Sequence, residues 1–352
     1  MRRRALLALL AAAGLPLPVP ALPARALVFP RDHGAHPGLR TEWWYITGQA
    51  ASRQRVFGFQ VTFFRTRVDA AQPLSSAFAA KQLVFAHAAV TDLQGRRLLH
   101  DQRIARAGFG IAQAAEDDTR LKLRDWSLAR AADGSYAARL PAAGFAIDLR
   151  FTPTQPLLLQ GRAGLSRKGP EERQASYYYS QPQLRAAGSL RLDGEAYAVE
   201  GRAWLDHEWS EEILHPQAEG WDWIGMNLDD GSALTAFRLR RADGSALWDG
   251  GSFRAPGREA RAFEAGRTRF TPVRHWTSPL SGARYPVEWA LETPAGAFRV
   301  RALLDEQELD SRASTGAIYW EGLSELLDAN GRAIGRGYLE MTGYASRLQL
   351  GG

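Results

Sequence analysis

The 352-residue chain contains no cysteine. That absence excludes disulfide frameworks, thiolate metal sites, iron–sulfur clusters and cysteine nucleophiles. Lysine is nearly absent too: only Lys81, Lys122 and Lys168 occur, so almost all of the 44 basic residues are arginine. The arginines are scattered singly among 38 acidic residues, with no stripe of the kind that grips a phosphate backbone, and no nucleic-acid partner is expected. No apolar run reaches the roughly 20 residues of a membrane-spanning helix. No serine sits in a G-x-S-x-G elbow, so serine-hydrolase chemistry lacks its motif. His207-Glu208-Trp209-Ser210-Glu211 approaches a helical H-E-x-x-H zinc motif only with glutamate in place of the second histidine, and the flanking residues alternate like a strand. No metal and no cofactor are expected.

What is present begins with a leader. Met1-Arg2-Arg3-Arg4 is followed by the apolar stretch Ala5 to Val19, then by a proline-rich segment ending Ala24-Arg25-Ala26. A charged start, a short apolar run and an A-x-A site form the layout of an export signal. Residues 1–26 are therefore read as a cleavable signal peptide, with a periplasmic or secreted destination by the general route or, through Arg3-Arg4, the twin-arginine one. Its removal takes away four arginines and no acid. The formal charge of +6 then falls to +2, from 40 basic and 38 acidic residues.

The rest of the chain reads as antiparallel β. Short alternating runs are separated by turn pairs: Gln94-Gly95, Asp133-Gly134, Asp193-Gly194, Asp230-Gly231, Asp243-Gly244 and Asn330-Gly331. Such pairs are hairpin signals because a tight hairpin turn needs positive φ. Helical periodicity is confined to Ile213–Gln217 and Glu321–Ala329. An aromatic strand followed by a hairpin occurs twice, from Glu42-Trp43-Trp44-Tyr45 into Val56–Phe64 and from Gly220-Trp221-Asp222-Trp223 into Leu234–Leu239. That recurrence suggests a duplicated domain. Closing each meander into a barrel removes its exposed edges.

The densest candidate site lies at 197–210. With period 2, Tyr197, Val199, Gly201, Ala203, Leu205, His207 and Trp209 share one face, and Glu200, Arg202, Trp204, Asp206 and Glu208 the other. His207 beside the indole of Trp209 fits either a satisfied core histidine or an acid/base group with a cation-stabilising neighbour. Asp206 and Glu208 read most simply as ion-pair partners for arginines such as Arg202. His33 and His36 flank a Gly-Ala pair and read as solvated loop histidines. Glu42, Asp206, Asp222 and Glu321 all sit among aromatics, with no spacing that singles out a carboxylate pair.

These residues bring a family into view. His36-Pro37-Gly38, Thr41–Gly48, Gly201–Ser210, Gly220–Ile224, Ile318–Gly322 and Gly335–Tyr344 closely resemble, in order, motifs of the exported lipocalin-like proteins grouped with carotenoid 1,2-hydratases, often labelled AttH-like or secreted hydrolases. The resemblance implies an all-β fold of two tandem lipocalin-like (calycin-type) antiparallel barrels, assigned here to 27–209 and 210–352, with the shared motifs near their contact. It implies acid-initiated water addition to an isoprenoid double bond, with His207, Asp206 and Asp222 as acid/base candidates. Glu42, Trp43, Tyr45, Trp209, Trp221, Trp223, Tyr319 and Glu321 are the ligand-binding candidates. The sequence departs from the hydratases where Glu208 replaces an asparagine, and where Ala233–Arg240 lacks their tyrosine and acidic residue. Three functions stay open: a carrier that holds a lipophilic small molecule without transforming it and serves a membrane transporter complex for lipids or lipoproteins; a hydratase or hydrolase of such a molecule; and a structural two-barrel module.

Overall fold

The computed structural model describes residues 21–348 apart from 54 and 213. The expected signal segment lies outside the described residues as far as Pro20. Among the described residues, helix is limited to two 3-10 turns, Arg31–His33 and Asp69–Ala71; everything else regular is strand.

Two antiparallel sheets account for the chain, one of 13 strands and one of 10 among the described residues. In the first, the Thr41–Ser52 strand is flanked by its hairpin partner Arg55–Arg67 and by the last strand of the sheet, Glu195–Glu212. In the second, Gly220–Leu228 is flanked by Ala233–Arg240 and by the last strand, Ala333–Met341. First strand between second and last is the ladder of a meander curled back on itself, and its repetition is the structural form of the duplication read in the sequence. The fold is two tandem lipocalin-like β-barrels. The chain passes from one sheet to the other between Glu212 and Gly220.

The turn chemistry follows the sequence in most places. Asp193 and Gly194 both take positive φ (51° and 90°), the type I′ pattern, while at 134, 231, 244 and 331 the glycine does so. At Gln94-Gly95 the left-handed residue is instead Arg96, at φ 50°. The helical expectation for Glu321–Ala329 is corrected: Ala317–Leu327 is a strand paired on both sides. Its 3.6-residue pattern is overridden because the residue pairs Glu321/Glu340 and Leu323/Tyr338 lie in register with a neighbouring ladder.

The first barrel is filled by Phe57, Phe59, Phe63, Trp126, Tyr136 and Phe151, all inaccessible to solvent. The second is filled around Ile224, Tyr285, Trp289 and Trp320. Each such side chain contributes roughly 1.5–3 kcal/mol, and this burial holds the fold in a chain without cysteine. A separate aromatic cluster, with Tyr45, Trp204, Trp223, Phe237, Leu323 and Tyr338 at its centre, lies where the two sheets meet.

Candidate functional site

Strand alternation divides the candidate residues between two places. In Glu195–Glu212, Ala203, Leu205, His207 and Trp209 point into the first barrel, while Trp204, Asp206 and Glu208 point toward the second sheet, as the period-2 reading has it. The neighbouring Thr41–Ser52 strand stands in register, with Trp44 opposite His207 and Tyr45 opposite Asp206. Glu42 and Trp44 therefore join the inner face, and Trp43 and Tyr45 the outer one.

On the inner face Glu42 is the hub of a buried network. Its Oε1 lies 2.7 Å from His36 Nδ1 and 2.9 Å from His207 Nε2. Its Oε2 accepts from Arg65 Nε at 2.9 Å and from the His36 backbone N–H at 2.8 Å. Behind His36 stands Asp32, 2.9 Å from Nε2. Behind His207 stands the Tyr179 hydroxyl, 3.2 Å from Nδ1 and 2.7 Å from His33 Nδ1. Burial opposes the charge on Glu42, but hydrogen bonds from His207 and His36 hold its carboxyl well below the usual range. Burial pushes His207 down to about 4 and His33 to about 3. For His36 burial is outweighed by Asp32 and Glu42, which raise it. The expectation of solvated loop histidines is thus corrected: His33 is 3 % exposed and His36 is held between two carboxylates, because the 3-10 turn at Arg31–His33 folds this loop over the barrel.

Trp209 stacks flat on His36 (ring centroids 4.0 Å, 2° between planes), and Trp44 stacks on His207 at 4.5 Å. His36 and Trp209, with Tyr177, Leu39, Arg25 and Arg31, line a pocket of about 290 Å³. The network is thus reached from the His36 side, while Glu42 and His207 are wholly enclosed.

The outer face is different in kind. Asp206 accepts from Tyr178 Oη (2.8 Å), Trp204 Nε1 (2.7 Å) and Ser180 Oγ (2.5 Å). Among the described residues no ion pair is formed with it, and burial pushes its carboxyl up to about 7. Glu208 pairs with Lys168 at 2.9 Å, whose ammonium lies over the rings of Tyr178 (4.5 Å) and Phe237 (4.4 Å). The expected pairing of Asp206 and Glu208 with Arg202 is corrected: Arg202 reaches Leu228 O and Asp229, at the end of the Gly220–Leu228 strand, while Asp206 is taken by Tyr178, Trp204 and Ser180 and Glu208 by Lys168.

Facing them across the interface, Glu321 and Glu340 are directly opposed on adjacent strands. Gln60 Nε2 donates to Glu321 Oε2 at 2.7 Å and to Tyr319 Oη at 3.1 Å, and His87 Nδ1 lies 2.8 Å from the same hydroxyl. Glu321 Oε1 and Tyr45 Oη are buried with no hydrogen-bond partner. Burial, reinforced by the charge of Glu340, raises the Glu321 carboxyl far above its ordinary range. Burial and the nearby Asp206 and Glu208 raise Glu340 to about 7. The rings around them are Trp223, set edge-on to Tyr45 (5.4 Å) and Trp204 (6.4 Å), with Trp43 and Trp221 at the periphery. Gly225 is required here: a Cβ would stand 2.4 Å from the Trp223 ring and 3.1 Å from Trp204.

The structure thus gathers Tyr45, Asp206, Trp223, Tyr319 and Glu321, with Trp43 and Trp221, at the interface, and Glu42, His207 and Trp209 inside the first barrel. Asp222 joins neither. It points into the second barrel, ion-paired with Arg238 (2.7 Å) and Arg240 (3.3 Å) and bonded to Tyr344 Oη (2.8 Å). Sequence reasoning placed His36 in solvent and gave no site role to Asp32, Arg65, Lys168, Tyr178, Tyr179 and Glu340. The signals were there in the His36-Pro37-Gly38 motif, in the rarity of lysine, and in the Tyr177-Tyr178-Tyr179 run, whose alternation sends Tyr178 and Tyr179 to opposite faces.

A search of curated proteins finds no match. Among solved structures, an AttH protein of Nitrosomonas europaea is 47% identical, with 92% of this chain and 99% of that one covered and a TM-score of 0.86. Kievitone hydratase of Nectria haematococca is 14% identical over 93% and 94% of the two chains, TM-score 0.71, and shares the fold. The AttH-like family model matches residues 20–344, nearly the whole chain and all the motifs gathered at the two sites. The chain belongs to the AttH-like family.

Proposed function

We propose that the protein is a hydro-lyase that adds water to a double bond of an apolar, isoprenoid or lipid-like molecule, or removes it, at the interface between the barrels. The observation that carries this reading is the opposed pair Glu321 and Glu340, both with raised carboxyls, set among Trp204, Trp223 and Tyr45. Two carboxyl groups in a low-dielectric site share a proton, so one is an acid and its partner a base at the same pH.

The chemistry follows from that arrangement. The protonated member gives its proton to the terminal alkene carbon; the π electrons form the new C–H bond and leave a tertiary cation. The faces of the surrounding rings stabilise the cation. Water then bonds to it, and the ionised member takes the proton released, so the pair again holds one proton. Glu340, the less enclosed of the two residues, is the member a substrate reaches, and Gln60 orients Glu321. The likeness in fold to kievitone hydratase is in keeping with this, and export would place the reaction outside the cytoplasm.

The test is incubation of the purified protein with acyclic isoprenoid alkenes in ¹⁸O-labelled water. Labelled tertiary alcohol should form, and Glu340→Gln should slow it by about 10²–10⁴-fold. Recovery of the alkene unchanged in stoichiometric complex would sink the hydro-lyase reading and favour a carrier, and full activity in Glu340→Gln would remove the pair from the mechanism.

A further inference from the structure

The inner network has a second use for its geometry. His36 Nδ1, His207 Nε2 and a Glu42 oxygen all lie within 4.8 Å of one another. Two histidine nitrogens and one carboxylate oxygen form the donor set of many zinc and other divalent transition-metal centres. What distinguishes this trio from a chance cluster is the layer behind it. Metal-bound histidines have their other ring nitrogen fixed by a carboxylate, carbonyl or hydroxyl. Here His36 Nε2 is held by Asp32 at 2.9 Å and His207 Nδ1 by Tyr179 at 3.2 Å. Arg65 takes the outer carboxylate oxygen, Oε2, and leaves Oε1 facing the two imidazoles. Tyr179 also touches His33; since a hydroxyl both donates and accepts, it supports the tautomer in which His207 Nε2 presents a lone pair.

We propose that His36, Glu42 and His207 form a binding site for a divalent metal ion of the zinc class, with its open position toward the pocket lined by His36 and Trp209. Donors around a zinc ion at about 2.0–2.1 Å stand about 3.3 Å apart. The present spacings of 2.7 and 2.9 Å are those of hydrogen bonds, so the donors draw back by about half an ångström when the ion replaces the protons between them. His36, carried on a loop, is the donor free to make that adjustment. Asp32, 2.9 Å from His36 Nε2, adds a second carboxylate on the far side of that imidazole. Trp209 supplies an independent sign of a missing ligand: its ring lies 4.0 Å from that of His36 and 4.6 Å from that of His207, and its indole N–H is buried without a partner. This site lies on the opposite face of the sheet from Glu321 and Glu340 and stands whether or not they are catalytic.

The test is titration of the metal-stripped protein with Zn²⁺ by calorimetry, and with Co²⁺ followed by its visible absorption. One ion should bind per chain, with a Co²⁺ spectrum of low coordination number. His36→Ala should weaken binding at least 100-fold, and Tyr179→Phe, which leaves all three donors in place, by about 10-fold. Circular dichroism checks that the variants fold, and should His36→Ala fail to, Tyr179→Phe and Asp32→Asn decide the matter. Absence of binding, or binding that these variants leave unchanged, overturns the proposal and identifies the trio as a hydrogen-bonded brace.

Discussion

The inner and outer faces of the same two strands, Thr41–Ser52 and Glu195–Glu212, make a natural comparison. Both faces carry carboxylates excluded from water: Glu42 is 0 % exposed on one, and Asp206 is 3 % exposed on the other. Yet Glu42 is held ionised and Asp206 is raised toward neutrality. Burial acts in the same direction on both. The difference is the company: Glu42 meets Arg65, His36 and His207, whereas Asp206 meets hydroxyls, an indole and further carboxyl groups. Depth sets the cost of a charge, and neighbours decide whether the charge is kept.

The largest effect that tests this contrast is the loss of Glu42. Glu42→Leu leaves Arg65 buried without its carboxylate and should cost about 3–5 kcal/mol in urea unfolding. A cost below about 1 kcal/mol would mean that the inner charges are not compensating one another.

The pH dependence is the next in size, and its sign differs between the faces. Glu340 has a folded pKa of about 7, above its unfolded value, so the folded chain binds the extra proton between those pH values. Its contribution to stability is complete below the unfolded pKa and is lost as pH rises through about 7. Glu42 is lowered, so its contribution is present above its unfolded pKa and is lost on acidification. Glu340→Gln should therefore be more stable than wild type at pH 8.5, by on the order of 1 kcal/mol, with the gap closing at pH 5. Melting curves at the two pH values read this directly; a gap that is the same at both would show that Glu340 titrates normally.

Tyr45→Phe should have the smallest effect. Its hydroxyl is buried without a partner, so removing it should change stability by less than about 0.5 kcal/mol, or raise it slightly. A loss above about 1 kcal/mol would reveal a bond between Tyr45 and Glu321 in solution.

Much of this was legible in the sequence. Alternation over 197–209 sorted His207 and Trp209 from Asp206 and Glu208 correctly, because the strand period is a local property. The Asp-Gly turns and the repeated aromatic hairpin gave the two meanders for the same reason. What alternation does not contain is the identity of whatever lies beyond each face. That Glu321 and Glu340 come to lie over Asp206 and Glu208 depends on how one barrel docks on the other, and that His36 reaches Glu42 depends on the path of a loop. Glu321 also stands in a stretch whose local periodicity is helical, and only its ladder partners make it a strand.

The scarcity of lysine gives the interface its own reporter. Lys81 and Lys122 are exposed, but Lys168 is enclosed between Tyr178 and Glu208 of one barrel and Phe237 of the other. Among the three lysines, an amine-reactive reagent meets two fast sites and one slow one. The slow site reacts only as often as the barrels part, so its acylation rate is a clock for the opening between them.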